Sequence, residues 1–83
     1  MGGRVPGRVG RPDRADVLIK AGLRVTGREL PVTIIDMSER GCKIRCLHLL
    51  PIGEIVELVI PAFQPCAASV RWSLPGVAGL RFI

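Results

Sequence analysis

From residue 15 onward the hydrophobic residues recur with a period of two, in short runs cut apart by Pro, Gly and Asp. That spacing constrains the fold more than any other feature, because side chains alternate between two faces only on a β-strand. Val17, Ile19, Ala21, Leu23 and Val25 alternate with Leu18, Lys20, Gly22 and Arg24, which predicts a half-buried first strand. Thr26-Gly27 marks a turn, and Val32–Ile35 forms a β-branched second strand that stops at Asp36. The stretch from Asp36 to Gly41 is rich in turn formers. Beyond it Cys42, Ile44 and Cys46 alternate with Lys43 and Arg45, placing both cations on the outer face. A loop through Pro51 and Gly53 leads to the run 54–60, where Val56, Leu58 and Ile60 share a face. Residues 67–72 and 78–82 supply two last strands, joined through Pro75-Gly76.

Six short strands with regular turn signals predict an all-β domain, either a small antiparallel barrel or a sandwich. Closure favours the barrel, since it removes edges that invite aggregation. No segment carries a helical period, although 46–50 has room for a single helical turn. The 83 residues suffice for one domain, and at 48% hydrophobic the chain builds a core. No apolar run nears the roughly 20 residues of a membrane span. The first eight residues lead into no signal-peptide apolar segment, so a cytoplasmic location is expected.

The charge is unevenly placed. Residues 1–28 hold seven basic and two acidic side chains, whereas residues 29–83 hold five of each, so the whole excess of +5 lies at the N-terminal end. Arg4, Arg8, Arg11 and Arg14 sit among glycines and prolines, which predicts a mobile basic arm over 1–14 ahead of a domain over 15–83. Such an arm is either a solvated tail or an anion clamp, since arginine forks match phosphates and guanine edges.

The remaining chemistry is sparse. Aromatics amount to Phe63, Trp72 and Phe82, too few for the stacking platforms of single-strand nucleic-acid binders. His48 has no carboxylate or nucleophile partner in sequence and is read as a surface or loop residue. No acid–base or nucleophile constellation is present, so the chain is not expected to be an enzyme. Three cysteines make an odd number, against a disulfide framework. On one strand Cys42 and Cys46 would stand about 13 Å apart at about 3.3 Å per residue. Zinc–sulfur bonds of about 2.3 Å cannot span that gap. Burial as small hydrophobes is expected for Cys42, Cys46 and Cys66 alike.

Taken together, the motifs resemble a known family. Asp36-Met37-Ser38-Glu39-Arg40-Gly41 resembles the (D/N)-x-S-x-x-G signature of PilZ domains. Val70-Arg71-Trp72 and Gly79-Leu80-Arg81-Phe82 are similar to that family's closing hairpin, and the arginine arm resembles its R-x-x-x-R element. The resemblance implies a six-stranded β-barrel from a bacterium that binds the second messenger cyclic di-GMP, without catalysis or a cofactor. It further implies a ligand site at Arg4, Arg8, Arg11, Arg14, Asp36, Ser38 and Gly41, and a downstream protein partner for signalling. The chemistry is consistent: arginine forks meet guanine O6 and N7, and remaining guanidiniums meet the two phosphates. Asp36 accepts from the guanine N1–H and N2–H₂ edge, Ser38 adds a hydroxyl, and Gly41 allows φ > 0 or close ligand approach.

Two readings of the hexapeptide stay open, a ligand site or a plain β-turn capped by the Asp side chain. Trp72 is read as a barrel residue near the site, and Arg45 and Arg71 as solvated outer-face charges. The arm also departs from the family spacing. Gly10 stands four residues before Arg14, Arg11 stands three before it, and the literal R-x-x-x-R is Arg4–Arg8. The alternative function is therefore a degenerate PilZ domain that binds no nucleotide and serves as a protein-interaction adaptor in motility, pilus or biofilm control.

Overall fold

The computed structural model describes residues 14–83, so Arg4, Arg8 and Arg11 lie outside the described residues. Six strands run β1 (Arg14–Val25), β2 (Arg28–Ser38), β3 (Gly41–Cys46), β4 (Ile55–Val59), β5 (Cys66–Leu74) and β6 (Gly76–Phe82). They close into a barrel in the order β1-β2-β3-β6-β5-β4, with every neighbouring pair antiparallel. Among the described residues there is no helix, and 47–50 is a bend rather than the helical turn for which it has room.

The alternation turns directly into an inner and an outer face. Leu30, Val32 and Ile34 of β2, Cys42, Ile44 and Cys46 of β3, and Val56 and Leu58 of β4 are all buried. Leu23, Val25, Leu50, Ala68, Val70, Ala78 and Leu80 complete the packed interior. Thr26 and Gly27 both have positive φ, 45° and 79°, the type I′ geometry that matches strand twist in a two-residue hairpin. The ring closes at its narrowest seam, where only Gly22–Arg24 pairs with Glu57–Val59. Arg24 bridges that seam, donating from Nη1 to Glu57 at 3.1 Å and from Nε to Glu29 at 3.3 Å.

Three expectations are corrected. β2 does not stop at Asp36 but runs on to Ser38, because its backbone stays paired with β1 through Arg14 and with β3 through Met37. The turn shrinks to Glu39-Arg40. Cys66 is exposed, not buried like Cys42 and Cys46, because it opens β5 at the rim of the barrel.

Burial pushes the Cys42 thiol up from an ordinary value of 9.0 to about 12, helped by the nearby charges of Cys66 and Asp36. A native thiol titration at pH 8 with an aromatic disulfide reagent is therefore expected to find Cys66 alone, with Cys42 and Cys46 appearing only on unfolding. The same shift sets a pH dependence. Between pH 9 and about 12 the Cys42 thiol ionises in the unfolded chain but not in the folded one, so stability falls across that window. Thermal melts at rising pH should show this loss, and Cys42→Ala should show less of it.

Candidate functional site

Three strands carry an extra residue at the same level of the barrel. In β2, Ile34 faces Ile44 and Asp36 faces Lys43, leaving Ile35 over. In β5, Val70 faces Leu80 and Trp72 faces Gly79, leaving Arg71 over. β1 shifts register against β2 between Asp16 and Ile19. Bulges twist a strand and re-aim its side chains, and they gather beside functional sites. Here they bring Asp36, Lys43, Gly79 and Trp72 into one row across four strands.

The β5 bulge decides where Trp72 goes. Unbroken alternation from Ala68 and Val70 would aim it into the barrel, but the extra Arg71 rotates it to the outer face, where it is 36% exposed. Its indole lies against Gly79, and a Cβ at Gly79 would collide with the ring at Nε1 and Cε2. Trp72 is thus a wall of the groove rather than a core residue.

Gly41 serves close packing instead of a turn conformation. It is absent from the positive-φ positions, and a Cβ there would overlap the backbone carbonyl of Leu80. β3 and β6 pack that tightly because Gly41 pairs with Arg81 at the end of their ladder. Ser38 closes the adjacent turn: its hydroxyl accepts from the Arg40 amide at 3.3 Å and donates to the Gly41 carbonyl at 3.4 Å. The Arg40 carbonyl in turn accepts from the Phe82 amide at 2.7 Å. The D-x-S-x-x-G hexapeptide is therefore a rigid rim, tied to itself and to β6.

These elements enclose an open groove of about 340 Å³ on the outer face of the barrel. Asp36, Ser38 and Gly41 line it together with Trp72 and the cations Arg40, Lys43, Arg71 and Arg81. Asp36 is the buried charged side chain among the described residues, at 7% exposure. The ion pairs among the described residues belong to Arg24, so none of the four groove cations is held by a carboxylate there. Such a surface attracts a compact polyanion, with a flat aromatic ring beside it to cover an apolar face.

The backbone register sets Arg14 opposite Ser38, at the edge of the same groove. Arg45 stays on the outer face away from the groove, as expected, while Arg71 belongs to the groove. Arg71 is exposed on the outer face as expected and in addition lines the groove, as do Lys43 and Arg81, to which the sequence assigns no role. The signal that locates them is the β3–β6–β5 register, which no local pattern displays. His48 is exposed in a loop, as expected.

The sequence model of one family, described as PilZ domain, matches residues 8–83. No curated protein matches the chain.

Proposed function

The chain belongs to the PilZ domain family, and on that premise we propose that it is a non-catalytic receptor for cyclic di-GMP. The observation that carries this reading is the cationic groove with its tryptophan wall, formed where the D-x-S-x-x-G rim meets β5 and β6. The ligand has two phosphates and two guanines. Arg40, Lys43, Arg71 and Arg81 answer the phosphates, and Asp36 accepts from a guanine N1–H and N2–H₂ edge. Ser38 and Gly41 act mainly through the rim they hold. Arg14 and, from the arm, Arg4, Arg8 and Arg11 supply the guanidinium forks for guanine O6 and N7 and for phosphate. Ordering of that arm over the ligand is the change that a downstream protein partner reads.

Calorimetric titration of cyclic di-GMP at near-physiological salt tests the reading. A saturable heat with micromolar or tighter affinity is expected. Arg14→Ala should weaken it about ten- to hundredfold, the worth of one good bidentate pair at 1–3 kcal/mol. Trp72, the single tryptophan, gives a parallel readout, since its fluorescence should change with the same midpoint. Absence of heat at high protein concentration would overturn the receptor reading. It would favour the nucleotide-independent adaptor, which the Gly10 departure from R-x-x-x-R supports.

A further inference from the structure

The end of the barrel away from the ligand groove carries an apolar patch that the nucleotide reading leaves unused. The loop after β3 exposes Leu47 (90%), Leu49 (67%) and Ile52 (69%), and Leu74 at the end of β5 is 56% exposed. Leu47, Leu49 and Leu74 share that end because Cys46 pairs with Gly76, Leu74 pairs with Val77, and the Leu50 amide donates to Ser73 Oγ at 2.9 Å. That last bond, with Leu50 buried beneath, anchors the loop and fixes its leucines outward. Ile52 lies further along β5, beside Gly53, whose amide donates to the Val70 carbonyl at 2.7 Å.

Two shallow grooves flank the loop. One, of about 200 Å³, lies between Leu49, Pro51, His48 and Arg28. The other, of about 380 Å³, lies between Leu47, Pro31, Lys20 and Arg45. Among the described residues neither groove is lined by a carboxylate. Exposed leucines beside two grooves that hold cations and, among the described residues, no carboxylate mark an interaction surface rather than a solvated face.

We propose that this end docks an acidic, leucine-bearing segment of a partner protein, whose apolar side chains enter the two grooves and whose carboxylates meet Lys20, Arg28 and Arg45. The charge selects among occupants. In a symmetric dimer a second copy would set these cations against themselves, which costs affinity. The two concavities suit side chains of a peptide better than the flat plane of lipid headgroups. The inference is independent of the nucleotide reading, because it uses no residue of the ligand groove.

The test is selection of a displayed library of random 16-residue peptides on the full chain, with the Leu47→Ser/Leu49→Ser double variant as counter-target. Both changes fall at exposed positions, so the variant is expected to keep its thermal midpoint. Enriched peptides should combine Asp or Glu with Leu, Ile or Phe. They should bind at least about tenfold more weakly to the double variant and to Arg45→Glu, and weaken with salt. Enrichment of neutral or basic peptides, equal binding to the variants, or no enrichment would overturn the proposal. So would a dimer in light scattering, or sedimentation with phosphatidylglycerol vesicles, that Leu47→Ser/Leu49→Ser abolishes.

Discussion

Gly41→Ala is expected to cost the barrel about 3 kcal/mol, the upper range for forcing a methyl group into a filled site. The added Cβ meets the Leu80 carbonyl and lies 3.0 Å from Arg81 Cα. Both are backbone atoms of a strand already paired with β3, so neither yields by a side-chain rotation. A domain of this length has about 4 to 12 kcal/mol of total stability. A loss of that size should lower the thermal midpoint by about 15 °C. Gly79→Ala makes the useful contrast. The nearest atoms to its Cβ all belong to the Trp72 side chain, which can swing away, so stability should change less while tryptophan emission shifts and the groove loses its wall. Equal, small shifts in melting for the two variants would show that β3 and β6 are not packed closely at Gly41.

The largest effect on binding is expected from Arg71→Glu/Arg81→Glu. The two arginines come from neighbouring strands, are exposed, and line the same groove. Neither is paired with a carboxylate among the described residues, so reversing them removes no structural ion pair. Each charged hydrogen bond to a ligand is worth about 1.5–3 kcal/mol, so losing two should weaken cyclic di-GMP binding at least about a hundredfold. The reversed charges add repulsion, which relaxes at high salt. Calorimetry on the variant, with its β-sheet circular dichroism unchanged, checks this. Undiminished affinity would place the nucleotide elsewhere on the barrel.

Most of the barrel was legible in the sequence because its strands obey a local rule. Val56 and Leu58 in β4, and Cys42, Ile44 and Cys46 in β3, are buried as their alternation predicts. The Thr26-Gly27 turn is equally local. What escaped depends on pairing between distant segments. The bulge at Arg71 exists only relative to β6, so alternation alone cannot tell that Trp72 faces outward. The reason for Gly41 lies in Leu80, far along the chain. Asp36, Ser38 and Gly41 stood out as a contiguous motif, whereas Lys43, Arg71 and Arg81 are scattered over three strands and meet only after folding. Cys66 reads like its buried counterparts because composition does not reveal a barrel's rim.

The irregularities around the groove have a consequence for how the cylinder responds to force from outside. Closure fixes the total stagger summed around the ring of strands. A residue taken up or released at one strand has to be returned at another. The extra residues of β1, β2 and β5 sit at one level, so the irregularities of the ring are gathered along a single circumference. The extra residue Ile35 lies directly beside the β1 irregularity at Asp16–Ile19, while the extra residue Arg71 stands across the groove from both. With strand number and stagger set by closure the cylinder keeps its girth, and the bulges at this level act by re-aiming side chains instead.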